Sequence, residues 1–281
     1  MVALLLDGHN LLFRSFTSLP RSIVDRQGRS VNAIYGLLSS VVRLARELEA
    51  DQLAAAFDVP QVPTFRHLLY PAYQGQRGPL GGEHADEFAR QVDIAIQLLP
   101  QLGIPALTAP TFEADDIMGT LACARARAGA RSVIVSTDRD LLQLVSEAIE
   151  VLAPGNPPRV ARDEEDVRER LGVPPSGVTT FKALAGDASD NIPGVRGIGT
   201  KTAVDLVNRF GSLEAIFDSL ESLPPKVSHA LDVGRDYAFL FRRVVTVVTD
   251  VDLGPVAEQL PQHALMVDSK PRQILEDMGF G

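Results

Sequence analysis

The chain has 281 residues, 45% of them apolar and 22% charged, with a formal net charge of −9. That composition fits one large or two smaller globular units with a substantial core and excludes disorder. A single cysteine, Cys123, excludes an internal disulfide framework and suits a reducing cytoplasm, while the absence of a basic leader or a membrane-length apolar run points to a soluble intracellular protein, by default a monomer.

Val2 to Leu6 is a continuous apolar run ending in Asp7-Gly8, the pattern of a central parallel strand with an acid at its carboxyl end. Ser30 is placed to cap a helix whose apolar face runs from Val31 to Leu48. Leu53 to Phe57 reads as a second buried strand, followed at once by Asp58. Composition then shifts between Pro60 and Gln91. Aromatic and basic residues (Phe65, Arg66, His67, Tyr70, Tyr73) precede a flexible glycine-rich linker, Gln74 to Gly82, and helical patterning resumes from about Ala85 to Leu99. Such a loop beside a strand-end acid is placed to act as a gate, or is simply a solvated surface segment.

The most informative stretch runs from Glu113 to Asp140. Glu113, Asp115 and Asp116 precede a predicted helix over about residues 114–128, and Ser132 to Ser136 is a third buried strand followed by Asp138 and Asp140. A helical pattern is expected to start at Leu141. Acids in a first helical turn serve as caps, but three exceed what a cap needs. Like charges brought together are costly unless cations neutralise them. Three strands alternating with helices each deliver an aspartate at the carboxyl end, the edge where open parallel α/β sheets build sites.

The region after Asn156 reads as mostly helical. Within it, Asp187 and Asp190 are spaced to share a face of a helical turn. Gly194, Gly197 and Gly199 then form a tight turn into a helix that Lys201 opens. The spacing is not that of a Walker A loop. A glycine hairpin feeding a helix N-terminus presents backbone N–H groups to an anion, which suits sequence-independent grip of a phosphodiester backbone; a plain interhelical turn is the alternative.

The sequence resembles the structure-specific 5′ nucleases, the flap endonucleases and the 5′→3′ exonuclease domain of bacterial DNA polymerase I. The matching motifs are Asp7-Gly8, Phe57-Asp58, Thr64-Phe65-Arg66-His67, Tyr73 with Arg77, Glu113-Ala114-Asp115-Asp116, Thr137-Asp138-Arg139-Asp140-Leu141, and the run Gly186-Asp187-Ala188-Ser189-Asp190-Asn191-Ile192-Pro193-Gly194-Val195-Arg196-Gly197-Ile198-Gly199. They extend over nearly the whole chain. The resemblance implies a PIN-like parallel-sheet α/β core over residues 1–155, with a helical arch over about 60–92. It implies a mostly helical DNA-binding region over 156–281, with the glycine hairpin at 186–203. In the family the matching acids, Asp7, Asp58, Glu113, Asp115, Asp116, Asp138, Asp140, Asp187 and Asp190, hold two divalent ions. Tyr73, Arg66, Arg77 and Gln74 then face the scissile phosphate, and Arg196, Gly197, Ile198, Gly199, Thr200, Lys201 and Thr202 grip DNA. The family hairpin sometimes also holds a K⁺ through backbone carbonyls.

Elementary chemistry agrees with that transfer. Oxygen ligands without a Cys/His cluster favour Mg²⁺ or Mn²⁺ over zinc, and two ions about 4 Å apart stabilise both oxygens of an in-line phosphodiester displacement. Some of the nine acids must then act through water, because Mg²⁺ keeps several waters. Neutralising them leaves the rest of the chain with no net charge, so a formal charge of −9 is compatible with DNA as partner. The expected activity is 5′→3′ exonuclease and 5′-flap endonuclease cleavage in replication and repair. One departure stands out: where the family generally has a lysine after the tyrosine, this chain has Gln74. A PIN-like ribonuclease and a non-catalytic DNA clamp are the competing readings. The chain ends at Met278-Gly279-Phe280-Gly281 without polymerase sequence, as expected of a free-standing nuclease or an excised domain.

Overall fold

The computed structural model of the protein describes residues 2–78, 82–155, 157–257, 259–263 and 271–277. Pro79, Leu80 and Gly81 of the expected linker, and the last four residues, lie outside the described residues. A six-stranded sheet in the order β3-β2-β1-β4-β5-β6 organises the fold: β1 (Val2–Asp7), β2 (Gln52–Ala56), β3 (Ala106–Leu107), β4 (Arg131–Val135), β5 (Ile149–Ala153) and β6 (Arg159–Ala161). All neighbours are parallel except β5 and β6.

Side-chain alternation sorts the strands between two cores. Leu4, Leu6, Leu53, Ala55, Val133 and Val135 face one layer, formed by α1 (Gly8–Ser18), α2 (Asn32–Glu47) and, after the short α3 (Phe65–Leu69), by α4 (Ala85–Leu98). Ala3, Leu5, Ala54, Ala56 and Ile134 face the other, which contains α5 (Ala114–Arg127) and apolar residues of α6 (Glu164–Leu171), α7 (Val178–Ala185) and α8 (Thr200–Phe210). A third core, with α9 (Leu213–Asp218) and α10 (Pro225–Val245), encloses the hairpin residues Ile192, Val195 and Ile198 and takes in Tyr73 from the α3–α4 connection. A last helix, α11 (Pro271–Asp277), lies against α2. No helix of the described residues is long and apolar enough to cross a membrane.

Several expectations are corrected. Ser30 does not cap α2, because its hydroxyl donates to Asn32 Oδ1 at 2.9 Å. The first N–H groups of α2 are met by Gln91 of α4, whose Oε1 accepts from Ala33 at 2.9 Å. The pattern after Asp140 stops after a 3₁₀ turn, Asp140–Leu144. The chain then turns back at a bridge from Ser146 to Ile149 and enters β5. Beyond residue 155 the chain still contributes β6 to the sheet before helices take over. Within the expected arch, α3 is followed by turns from Pro71 to Gln76, and α4 packs onto the core through Phe88 and Val92.

Candidate active site

Parallel strands place their carboxyl ends along one edge, and the acids gather there. Asp7 ends β1 and caps α1, accepting from Asn10 N–H at 3.0 Å. Its other oxygen accepts from Ser136 Oγ, just past β4, at 2.6 Å. Asp58 follows β2 and accepts from Ala114 N–H at 2.8 Å, which fixes the entry of α5. Asp138 accepts from the Asp140 N–H at 2.8 Å, holding the loop after β4. A pocket of about 570 Å³ is lined by Asp7, Asp58, Glu113, Asp115, Asp138, Asp140 and Asp190, with Tyr73, Gln74 and Arg77 on its wall. Carboxylate oxygens of Asp140, Asp187 and Asp190 lie within 4.8 Å of one another, so Asp187 joins the same assembly.

The energetics of this gathering are unfavourable without a counter-cation. Burial, together with the charges of Asp58 and Asp138 and against hydrogen bonds from Ser136 and Asn10, pushes the Asp7 carboxyl up to about 7. Glu113 also rises to about 7, through burial that the Arg66 charge only partly offsets. Asp115 lies well above the usual carboxylate range because it is buried beside Asp138 and Asp7. Asp138 and Asp190 are raised chiefly by burial. Asp187 is the exception: despite the cost of burial, Lys182 holds it down to about 2.

Lys182 is the residue that sequence reading missed. Its ammonium, buried on α7, donates to Asp187 at 2.6 Å and contacts Asp140. The available signal was a lysine as the one charged residue of a short helix, Val178 to Ala185. His9 was also missed; its Nδ1 accepts from the Asp58 N–H at 3.2 Å.

Two predicted site residues have other work. Asp116 is fully buried and does not line the pocket. Its two oxygens accept four hydrogen bonds: from Arg66 at 2.6 and 2.8 Å, from Glu113 N–H at 3.0 Å and from Val248 N–H at 2.8 Å. No lone pair remains for a metal ion. Arg66, 3% exposed, also donates to the carbonyls of Val244 at 2.8 Å and Thr246 at 3.2 Å and pairs with Glu113 at 3.4 Å, so it ties α3 to α5 and to the end of α10 from the pocket wall. Arg77, by contrast, is half exposed and bonds Asp190 at 2.6 Å. Tyr73 donates to Glu113 at 3.1 Å, and Gln74 Nε2 reaches both Tyr73 Oη at 2.9 Å and Asp190 at 3.1 Å.

Asp187 and Asp190 do not share a helix. They sit in a turn closed by Asp187–Ile192 pairing, where Asp187 accepts from Ser189 N–H at 2.8 Å. The hairpin follows. Gly194 has φ +69°, and a Cβ there would lie 2.4 Å from Gly186 N, so only glycine fits. Arg196, Gly197, Gly199, Thr200 and Lys201 are exposed, Thr202 is half-buried, and Ile198 is buried as the hairpin's anchor in the third core. Gly199 precedes α8 without a side-chain cap, which leaves the N–H groups of Thr200, Lys201 and Thr202 facing outward.

Comparison with known proteins agrees with this geometry. Residues 2–172 match the model of the 5′-3′ exonuclease N-terminal resolvase-like domain, and residues 173–266 that of the 5′-3′ exonuclease C-terminal SAM fold. DNA polymerase I of Mycobacterium bovis is 39% identical over 260 residues, covering 92% of this chain and 28% of that protein. The thermostable DNA polymerase I of Thermus thermophilus is 38% identical over 250 residues, covering 89% and 29%. The chain therefore spans under a third of these relatives. Among solved structures, T5 5′-exonuclease with divalent zinc ions bound has a TM-score of 0.74 at 22% identity, covering 98% of this chain and 99% of that one. The catalytic core of Rad2 in complex with DNA substrate has a TM-score of 0.58 at 16% identity, covering 98% and 86%. Matched by both domain models across nearly its full length, the chain belongs to the 5′-3′ exonuclease family.

Proposed function

We propose that this chain hydrolyses phosphodiester bonds in DNA bearing 5′ single strands or flaps, as a divalent-metal-dependent 5′→3′ exonuclease and flap endonuclease acting as a monomer. The observation that carries this reading is the convergence of seven acids from five separate segments in one pocket, with Asp187 beside them. So many buried carboxylates, most with raised affinity for protons, fit hard cations, and the all-oxygen donor set fits Mg²⁺ or Mn²⁺. Asp7, Asp58, Glu113, Asp115 and Asp138 would hold one ion, and Asp140, Asp187 and Asp190, with Asp138 between the groups, a second. When bound, such a pair supplies charge stabilisation to both oxygens of an in-line displacement.

The chain's own residues orient and restrain. Tyr73 fixes the Glu113 carboxylate through its hydroxyl. Gln74 and Arg77 secure Asp190, and the exposed face of Arg77 offers remaining donors to a phosphate entering the pocket. Lys182 neutralises part of the Asp140–Asp187 charge from behind. The glycine hairpin and the open N-terminus of α8, with Lys201 exposed, would grip a backbone phosphate, and the hairpin carbonyls are where a K⁺ would sit. The test is a Mg²⁺-dependent assay on an end-labelled 5′-flap DNA with the cut position mapped, beside single-stranded RNA and the Asp138→Ala variant. Cutting near the flap junction that Asp138→Ala abolishes while DNA binding persists is expected. Preferential cleavage of RNA, or wild-type cutting by the variant, would refute the assignment.

A further inference from the structure

The two groups of acids in the pocket are held by different parts of the fold. Asp7, Asp58, Asp115 and Asp138 belong to strand ends and to α5, which the sheet keeps in register. The second group straddles a seam. Asp140 opens the 3₁₀ turn after β4, whereas Asp187 and Asp190 lie in the turn that follows α7, yet their oxygens come within 4.8 Å of one another. Lys182 bridges Asp140 and Asp187, but an ammonium on a flexible stem neutralises charge without fixing a distance.

An amide closes that seam. Gln143, in the same 3₁₀ turn as Asp140, donates through Nε2 to the Asp140 carbonyl and to the Val245 carbonyl, both at 2.9 Å. Its Oε1 accepts from the Val247 N–H at 2.9 Å. Val245 ends α10 and packs in the third core with Leu184 of α7, the helix that leads to Asp187. Val245 and Val247 also line the acid pocket. The last carbonyls of a helix need partners, so capping α10 accounts for the bond to Val245. It does not account for the bond to Asp140, which ties the cap to an acid of the pocket.

We infer that Gln143 is a positioning residue: it sets Asp140 against Asp187 and Asp190, and so the geometry of one of the two cation sites, through the end of α10. The inference rests on the nuclease reading for the presence of two cations. Gln143 itself does not line the pocket.

The test uses the full chain with Gln143→Met, which roughly keeps the side-chain volume and removes all three hydrogen bonds, and Gln143→Asn, which keeps the amide one methylene short. Mn²⁺ binding without DNA is followed by the EPR signal of the free ion, and Asp187→Asn identifies the site in question. In Gln143→Met that site should lose about 10–100-fold in affinity, the range for removing a partner behind a metal ligand, while the other site keeps its wild-type affinity. Gln143→Asn should fall in between, and it carries the comparison alone where circular dichroism shows Gln143→Met unfolded. In flap cleavage the Mg²⁺ concentration for half-maximal rate should rise by a similar factor with KM for DNA unchanged. Wild-type Mn²⁺ affinities in the folded variants, or equal weakening of both sites, overturns the proposal. Selective loss of that site in a protein whose wild type cuts no flap sinks the nuclease reading and leaves the role of Gln143 standing.

Discussion

Replacing Asp116 separates an acid that holds the fold from the acids proposed to hold metal. In Asp116→Ala the Arg66 guanidinium, 3% exposed, keeps its charge and loses two carboxylate contacts, and Glu113 and Val248 N–H lose their acceptor. Removing one partner of a buried ion pair costs about 3–5 kcal/mol. With an unfolding entropy of about 2.1 cal/mol/K per residue over 281 residues, that corresponds to a fall in Tm of roughly 5–8 °C. Asp138→Ala does the reverse: it removes one of several mutually repelling acids, so Tm should hold or rise while metal-dependent cleavage is lost. Thermal unfolding by circular dichroism and flap cleavage well below Tm measure the two effects on the same proteins. Asp116→Ala should then retain cleavage within about tenfold of wild type, since no transition-state contact is removed. A variant with wild-type Tm but no Mg²⁺-dependent activity would refute this account and return Asp116 to the metal site.

Gln74→Lys places an ammonium between Tyr73 Oη and Asp190, where Gln74 now bonds both, and should raise kcat on a 5′-flap substrate by up to about 10²–10³; an unchanged or lower rate counts against it. Asp7 and Glu113 have folded-state values raised from 3.8 and 4.5 to about 7, so the stability they contribute is complete below their ordinary values and is lost as pH rises through 7. Asp187, held to about 2, contributes a constant amount over that window. Metal-free protein should therefore melt lower at about pH 8 than at about pH 5, and Mg²⁺ should raise Tm more at the higher pH; a metal-free Tm that climbs with pH contradicts the clustered-acid picture. Gly194→Ala forces a Cβ to 2.4 Å from Gly186 N and 2.6 Å from the Leu184 carbonyl at φ +69°, so it should destabilise the protein by at least about 1–3 kcal/mol in urea unfolding and weaken duplex binding; wild-type stability would show the hairpin to be pliable.

The sequence by itself determined three of the sheet's four inner strands, β1, β2 and β4, and the acids at their ends, but not β5. A buried parallel strand needs an unbroken apolar run, and Val2–Leu6, Leu53–Phe57 and Val133–Val135 have one, each with an aspartate within three residues of its end. It also determined the hairpin, because Gly194 meets a backbone constraint that only glycine satisfies. The edge strands β3 and β6 were not legible, being two and three residues long with no periodicity to read. Which acid faces the pocket was decided by tertiary structure alone. Asp115 and Asp116 are adjacent and chemically identical, yet successive helix positions point about 100° apart, so one enters the pocket and the other meets Arg66. Lys182 and Gln143 likewise acquire their meaning only when helices and strand ends distant in sequence are packed along one edge, because charges and hydrogen bonds act through space and not along the chain.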